Sequence, residues 1–209
     1  MEDKKNVSKR IIIGLLGESS VGKTTICHSL IGLEFVEEML ITIGTEKFEK
    51  FIGVKNNEKV KILIWDTAGA ERFRSASLKY LRNADDIILV FDLSYRKSFV
   101  ELDVWLKSIK ENLNVSSIIL FGNKADLNKS EWQVTSEEAN KYAKEKGIPY
   151  FEVSAKTGRG LNEGLLYIVN EIYDKKFDNK DNNIIKINEN DIEKEKKNSD
   201  CVRNKKNKK

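Results

Sequence analysis

The chain has 209 residues, of which 40% are hydrophobic and 33% charged, with a formal net charge of +4. This length suits one folded domain with an appended tail, and the mixture of positive and negative residues gives no bias towards nucleic acids or acidic substrates. The two cysteines, Cys27 and Cys201, lie far apart and no signal peptide is recognisable, so we expect a reducing, cytosolic setting. The longest apolar runs have the length of strands, too short to span a membrane.

A phosphate-binding loop is predicted near the N-terminus. The apolar run at 10–16 predicts a buried strand, and 23–33 has helical spacing with Ile26, Leu30 and Leu33 on one face. Between them lies the sequence Gly-Glu-Ser-Ser-Val-Gly-Lys-Thr, whose main-chain N–H groups and helix N-terminus would converge on phosphates. The pattern assigns its lysine to the β- and γ-phosphates and its last threonine to Mg²⁺.

Short β-rich runs alternate with helical ones along the rest of the chain. Strands are predicted at 10–16, 45–54, 58–66, 86–91, 117–122 and 149–154, and helices at 23–33, 75–81, 97–112, 136–146 and 161–177. Asn56 and Asn57 predict a hairpin turn, and hence one antiparallel edge strand. The alternation indicates an α/β fold with a six-stranded, mostly parallel sheet and about five helices, whose ligands bind where strands end.

The two ends of the chain are expected to lie outside this domain. Residues 1–9 are polar and predict a flexible N-terminus, which leaves 10–177 as the folded domain. The Lys- and Asn-rich stretch 178–209 carries too little apolar surface to fold alone, so we expect a disordered tail. Its one apolar patch, 184–187, either docks on a partner or has no role.

Two loops carry residues suited to Mg²⁺ and a third phosphate. Residues 65–69, Trp-Asp-Thr-Ala-Gly, end a strand, so that Asp66 would hold Mg²⁺ through a water and the Gly69 N–H would bond the γ-phosphate. Thr42 lies in the long loop after the first helix. Its hydroxyl would complete the Mg²⁺ shell only when a γ-phosphate is present, so this loop should be ordered by a triphosphate and released by a diphosphate.

Two further loops carry residues suited to guanine. The Asp126 carboxylate of Asn-Lys-Ala-Asp can accept hydrogen bonds from guanine N1–H and the 2-amino group, a pair that adenine does not offer. An unpaired buried acid would therefore reject ATP. In Ser-Ala-Lys, the Ala155 N–H could donate to guanine O6 and Lys156 could cover the base.

Taken together, these ordered motifs resemble the small GTPases of the Ras superfamily, which are P-loop NTPases with a small G domain, and specifically the Rab branch. The Rab features are residues 61–69, residues 71–75 (Glu-Arg-Phe-Arg-Ser) and Trp105-Leu106. The resemblance covers about residues 10–175. It implies that Phe35 packs edge-on against guanine.

The resemblance also implies a function. It predicts a monomeric GTP/GDP switch with Mg²⁺-dependent GTPase activity in vesicle traffic, with an exchange factor, a GTPase-activating protein and effectors as partners and no nucleic acid. It predicts a cytoplasmic protein, or one bound peripherally to the cytoplasmic face of an endomembrane.

The predicted site residues are these. Nucleotide binding is assigned to Gly17, Glu18, Ser19, Ser20, Val21, Gly22, Lys23, Thr24, Thr25, Phe35, Thr42, Asp66, Gly69, Asn123, Lys124, Asp126, Ser154, Ala155 and Lys156. Catalysis is assigned to Lys23, Thr42 and Gly69, and Mg²⁺ to Thr24, Thr42 and Asp66.

The most consequential departure from the family is Ala70, where the family usually has a Gln that orients the attacking water. A methyl group cannot hold that water, so we expect intrinsic hydrolysis on the order of 10⁻⁴ per second or less. Either a partner supplies the missing group, or hydrolysis no longer matters at this position. The rival hypothesis is a GTP-bound adaptor that only binds effectors. An ATP-using P-loop kinase is disfavoured by Asp126 and by the lack of a recognisable lid.

Other departures concern partners and membranes. Ser20 replaces the usual Gly and is expected to point outward, and Phe48 stands one residue later than the usual effector-facing aromatic. Cys201 is followed by eight residues, which is no prenylation motif. The final basic cluster either gives weak, salt-sensitive attraction to an anionic membrane, at roughly 1 kcal/mol per residue, or is a solvated tail. His28 and Cys27 are expected to pack rather than react.

Overall fold

The structure is a computed structural model that describes residues 9–37, 40–55, 58–69 and 74–178. The expectations for 1–8, for the Asn56-Asn57 turn, for Ala70 and for the tail beyond residue 178 fall outside these ranges. The chain divides into a unit that ends at Ile172 and a unit that begins at Tyr173. In the second unit, a π-helical turn at Asp174–Asp178 brings the Phe177 ring to 5.5 Å from that of Tyr173, measured between centroids.

Six strands form one sheet. They are β1 Arg10–Leu16, β2 Thr45–Gly53, β3 Lys59–Thr67, β4 Asp86–Asp92, β5 Ile118–Asn123 and β6 Tyr150–Glu152. Their spatial order is β2-β3-β1-β4-β5-β6, with β2 antiparallel to β3 and the other pairs parallel. All seven residues of β4 are buried, as expected of a central strand covered on both faces. The predicted sheet is therefore confirmed.

Helices cover the sheet. They are α1 Lys23–Ile31, α2 Arg74–Tyr80, α3 Arg96–Val100, α4 Leu102–Asn112, α5 Ser136–Lys146 and α6 Leu161–Tyr173, with short 3₁₀ turns at Leu81–Asn83 and Lys129–Glu131. The predicted helix 97–112 is interrupted at Glu101, whose N–H still bonds the Lys97 carbonyl at 3.1 Å. If α3 and α4 are counted as one interrupted helix, the described part of the chain has the five helices that were predicted.

The predicted ends of α1 and β6 were wrong, and the α-helix predicted at 161–177 ends at Tyr173 before the π-helical turn. Helix α1 stops at Ile31 because Gly32 adopts a left-handed conformation with φ 87°, and Leu33 is consequently 52% exposed rather than on the buried face. Strand β6 is shorter than 149–154. The Val153 N–H still reaches the Gly122 carbonyl, but the next N–H, of Ser154, bonds the Arg159 carbonyl, so the chain turns away from the sheet.

The main apolar core lies between the sheet and helices α2 to α5. It contains buried residues of β1, β4 and β5, together with Leu78, Leu102, Trp105, Leu106, Ile109, Ala139 and Ala143. Helix α6 approaches the sheet through Gly164, where a Cβ atom would collide with the Phe121 ring. Each fully buried Leu or Ile contributes about 1.5–3 kcal/mol. This core holds the carboxyl ends of β1, β3, β4 and β5 at one edge.

The structure of edge strand β2 shows on which face Phe48 lies, the aromatic residue that stands one position later than usual in the family. Phe48 is buried, and its ring meets His28 of α1 edge-on at a centroid distance of 5.4 Å, so His28 packs as expected. The neighbouring Lys47 points to the other face, where it pairs in register with Trp65 of β3. Glu49 forms ion pairs there with Lys47 at 3.1 Å and with Lys61 at 2.7 Å. The face that carries Trp65 therefore bears a lysine.

Candidate functional site

A cavity of about 440 Å³ opens at the carboxyl ends of the strands, within the size range of small-molecule sites. Of the predicted site residues, it is lined by Ser19, Ser20, Gly22, Lys23, Thr24, Thr25, Phe35, Thr42, Gly69, Asn123, Lys124, Asp126, Ala155 and Lys156. The predicted residues Gly17, Glu18, Val21, Asp66 and Ser154 do not line the cavity and lie behind it. The structure thus brings five separate loops to one place.

Six lining residues were not predicted, namely Val36, Glu37, Leu40, Ile41, Thr67 and Leu127. The first four lie in the loop between Phe35 and Thr42, and the other two are next to predicted residues. Adjacency in sequence was thus the only signal that could have found them.

Lys23 is buried at the base of the cavity. Its Nζ donates to the carbonyl oxygens of Gly17 at 3.0 Å and Glu18 at 2.7 Å. Burial lowers the pKa of Lys23 to about 8, and the negative charges of Asp66 and Glu18 oppose this shift. Loss of hydration is the main cost of keeping this ammonium group charged. Nearby phosphate oxygens would offset that cost with their negative charge and so favour the charged form.

Three oxygen-bearing side chains meet beside Lys23. Thr24 Oγ1 donates to Asp66 Oδ2 at 2.6 Å and lies 2.9 Å from Thr42 Oγ1, which is itself 3.4 Å from Asp66 Oδ2. Burial raises the pKa of Asp66, opposed by the Thr24 hydrogen bond and by Lys23. The contact joins the phosphate loop to the loop after α1 and to the end of β3.

This group has the chemistry that Mg²⁺ requires. Asp66 Oδ1 is buried and has no hydrogen-bond partner among the described residues, so one carboxylate oxygen is available to a cation or its water. Two hydroxyls and a carboxylate are hard oxygen ligands, and Mg²⁺ keeps several waters and binds few protein groups. No group of three or more His, Cys, Asp or Glu suited to a metal occurs in the described ranges.

Two glycines of the site are required by close approach. Gly22 has φ 94°, and a Cβ there would collide with the Asn123 side chain. At Gly69, a Cβ would collide with Lys23 Nζ and with the carbonyl oxygen of Glu18. Ser20 has φ 62° and is exposed at the cavity rim. Its side chain is thus accommodated in a backbone conformation that favours glycine.

Asn123 connects three loops at the other end of the cavity. Its buried side chain donates from Nδ2 to the Val21 carbonyl at 2.8 Å and accepts at Oδ1 from the Ala155 N–H at 3.0 Å. In this structure Ala155 therefore already has an acceptor, and its assignment to guanine O6 stays a prediction.

Asp126 lies at the rim and is exposed in the chain by itself, so the acid that was expected to be buried against a base stays a prediction. Its Oδ1 accepts from the Ser154 hydroxyl at 2.6 Å, and Ser154 Oγ in turn accepts from the Thr157 N–H at 3.1 Å. These bonds fix the orientation of the carboxylate. A base bound in the cavity would cover it.

The predicted base contacts are neighbours. Lys156 Nζ lies 5.6 Å from the centroid of the Phe35 ring, which is 41% exposed. Lys124 has φ 67° and pairs with Asp92 at 2.5 Å. Cys27, on α1, is fully buried, and burial raises the pKa of its thiol well above the usual range, as expected of a packing residue.

Fold and site together define a P-loop nucleotide-binding α/β domain, and comparison with known proteins narrows the class. A family model described as the Ras family matches residues 11–174. Ras-related protein Rab-13 of Bos taurus is 37% identical over 159 residues, covering 76% of this chain and 77% of the relative. Rab-13 of Canis lupus familiaris is 38% identical over 159 residues, with the same coverage. Ras-related protein SEC4 of Saccharomyces cerevisiae is 36% identical over 167 residues, covering 79% of this chain and 76% of the relative.

The chain belongs to the Ras family of small GTPases, in its Rab branch. It is a GTP-binding switch of vesicle trafficking with GTPase activity, in a family that binds GTP, GDP and Mg²⁺ and interacts with exchange factors, activating proteins and effectors. Rab proteins act on the cytoplasmic face of endomembranes. In the described part of the chain, no helix has both the length and the apolar character needed to cross a bilayer.

Proposed function

We propose that this protein is a slow GTP/GDP switch in which the predicted residues hold the nucleotide. The observation that carries the proposal is the contact of Thr24, Thr42 and Asp66, with hydroxyl and carboxylate oxygens 2.6–3.4 Å apart. Thr24 and Thr42 would bind Mg²⁺ directly and Asp66 through a water. Because Thr42 belongs to the loop after α1, this loop responds to whatever occupies the cation site.

The phosphate end of the site acts by charge and position. Bound Mg²⁺ supplies neutralisation of phosphate charge. Lys23 adds a second positive charge, and the main-chain N–H groups of 17–24 and the Gly69 N–H donate to phosphate oxygens. Such preorganised donors stabilise the charge that develops during in-line attack by water.

The base end of the site selects guanine. Asp126 accepts from N1–H and from the 2-amino group, while Lys156 and Phe35 flank the base. The support is the orientation of the carboxylate by Ser154 and the proximity of Lys156 to Phe35. Asn123 keeps this loop beside the phosphate loop.

Ala70 sets the rate. It has no polar atom to orient the attacking water, so intrinsic hydrolysis is on the order of 10⁻⁴ per second or less. A GTPase-activating partner that inserts both Arg and Gln would replace what Ala70 lacks. The second candidate function is a GTP-bound adaptor that binds effectors and scarcely turns over, and the same residue favours it.

The remaining proposals concern the state of the chain. The protein is a monomer, its folded domain spans 10–177, and the basic tail makes at most a weak, salt-sensitive contact with anionic membranes. On the β2–β3 face, Lys47 beside Trp65 is ion-paired with Glu49, so effectors meet a charged pair there rather than an aromatic side chain. Sedimentation of the purified chain with anionic vesicles at low and high salt tests the tail.

Single-turnover hydrolysis of Mg²⁺-GTP tests the switch directly. The wild type is compared with Ala70→Gln, and with Ala76→Gln as a matched control, because Ala76 is an exposed alanine of α2. We expect a faster rate for Ala70→Gln alone. A wild type that hydrolyses GTP as fast as Ala70→Gln would refute the account of Ala70, because another group would then position the water. Guanine-nucleotide binding with no measurable hydrolysis in either protein would favour the adaptor, and preference for ATP would overturn both functions.

A further inference from the structure

The side chain of Glu18 links the phosphate loop to two helices. Glu18 Oε1 accepts from Trp105 Nε1 of α4 at 2.9 Å and from Arg74 Nη2, at the start of α2, at 3.1 Å. The guanidinium carbon of Arg74 lies 4.5 Å from the centroid of the Trp105 ring. Arg74 Nη2 also lies 3.4 Å from Glu101 Oε2. The three side chains of Glu18, Arg74 and Trp105 are called the Glu18 cluster below.

The Glu18 cluster is shielded from water. The Trp105 ring is fully buried, and only 11% of the Glu18 side chain and 18% of the Arg74 side chain are exposed. Arg74 Nε is buried without a hydrogen-bond partner among the described residues, so Nη2 and the stacking on Trp105 hold the guanidinium. Charge-assisted hydrogen bonds in such surroundings are stronger than those at an exposed surface.

Glu18 also contacts the residue that precedes the stretch 70–73. Gly69 lies so close to the Glu18 carbonyl oxygen that a Cβ would collide with it, whereas the Glu18 carboxylate holds Arg74, the residue that follows the stretch. One residue of the phosphate loop thus contacts the chain on both sides of it. Lys23 completes the arrangement, because its Nζ donates to the same Glu18 carbonyl at 2.7 Å.

We propose that Glu18 is a positioning residue that couples the phosphate loop to the start of α2. This inference rests on the proposed switch function and deepens it. The Glu18 side chain does not line the cavity, so it would meet neither substrate nor reacting atoms, and only its main-chain N–H would face the phosphates. It acts through Arg74 and Trp105, so that a nucleotide-dependent change in the phosphate loop reaches α2 and α4 through its side chain.

A matched pair of variants separates coupling from packing. Glu18→Gln and Glu101→Gln each remove one carboxylate charge beside Arg74, but only Glu18 belongs to the phosphate loop. A role limited to neutralising Arg74 predicts similar effects for the two variants. Coupling predicts that only Glu18→Gln changes the response to nucleotide.

Two readouts are measured in the full chain. The first is single-turnover hydrolysis of Mg²⁺-GTP, beside the affinity for a fluorescent GDP. The second is Trp105 emission in a Trp65→Phe, Trp132→Phe background, compared between GDP and a non-hydrolysable GTP analogue. Because three tryptophans occur in the sequence, this background leaves Trp105 as the only indole.

We expect Glu18→Gln to slow hydrolysis roughly three- to thirtyfold, with a smaller change in GDP affinity, and to remove the nucleotide-dependent difference in Trp105 emission. Glu101→Gln should change each quantity by less than about twofold. Arg74→Met removes the ion pair with Glu18 from the other side, together with the longer contact to Glu101 that Glu101→Gln controls for. It should therefore reproduce Glu18→Gln and add little to it in the double variant. It replaces Glu18→Gln if the latter fails to fold.

Equal effects of Glu18→Gln and Glu101→Gln would overturn the inference, as would unchanged hydrolysis and emission in Glu18→Gln. Both results leave the switch function intact. Failure of the switch function is distinct, because the wild type itself would then not bind the fluorescent GDP.

Discussion

The Asn123 side chain donates a 2.8 Å hydrogen bond to the Val21 carbonyl and thereby joins the loop after β5 to the phosphate loop. Its Oδ1 accepts from the Ala155 N–H, which brings in the loop after β6. Nucleotide affinity and stability of the free protein should therefore depend on the same buried amide.

Asn123→Ala should destabilise the nucleotide-free protein by about 1–3 kcal/mol, because the Ala155 N–H loses its acceptor. GDP affinity should fall as well. The matched control is Asn140→Ala, since the exposed Asn140 side chain also donates to a carbonyl, that of Ser136, and should change stability by less than about 0.5 kcal/mol. Urea unfolding and GDP titration measure both quantities. Equal losses in the two variants would contradict this role.

Asp126→Asn should change the preferred base. An amide cannot accept from both N1–H and the 2-amino group of guanine, so GTP affinity should fall on the order of a hundredfold or more. Xanthine carries a carbonyl in place of the 2-amino group, and the amide introduced by the substitution can donate to it. Competition between GTP and xanthosine triphosphate checks the prediction. If both affinities match those of the wild type, Asp126 does not read the base.

Gly69→Ala should impair hydrolysis, because the new Cβ would collide with the Glu18 carbonyl and displace the Gly69 N–H. Misplacement of such a donor lowers the rate on the order of a hundredfold. Gly53→Ala is the control, since a Cβ there meets no atom within 4 Å. Single-turnover hydrolysis rates of the two variants check the prediction. Unchanged hydrolysis in Gly69→Ala would show that the close approach of Gly69 to the Glu18 carbonyl is not needed for the reaction.

Removal of Mg²⁺ should expose Cys27. Its thiol is buried, and burial raises its pKa well above the usual range, so it reacts only when the protein opens. In a Cys201→Ser background, EDTA should speed labelling by 5,5′-dithiobis(2-nitrobenzoate). If Mg²⁺ is present at a hundredfold its Kd, its removal should increase the population of the open protein, and with it the labelling rate, roughly a hundredfold. Identical labelling with and without EDTA would contradict a stabilising cation at Thr24 and Asp66.

Much of the fold could be predicted because buried parallel strands are continuous apolar runs, as in β4. Boundaries failed where one residue reverses the chain. Gly32 ends α1 early and exposes Leu33, and Ser154 leaves the sheet to bond the Arg159 carbonyl. These are local backbone choices that apolar periodicity does not report.

The candidate site could be assembled from its motifs, because each motif ends a strand and strand ends meet at one edge. Pairings between distant side chains could not be predicted. Glu18 and Trp105 are 87 positions apart, and no local pattern indicates that they meet. The register of β2 determines that Lys47 lies on the face of Trp65 and that Phe48 lies on the buried face. The sequence could not show this, because a shift of one residue exchanges the two faces of a strand.

Lys23 has already exchanged its hydration for the carbonyl oxygens of Gly17 and Glu18. Folding, rather than nucleotide binding, therefore carries the dehydration penalty of this ammonium group. An arriving phosphate meets an ammonium group that already donates to two protein carbonyl oxygens and has less hydration to lose than an exposed lysine. Because bound phosphate would offset that penalty, we expect the nucleotide-free chain to unfold more easily than the nucleotide-bound chain, and an exchange factor that holds the empty state would also protect it from unfolding.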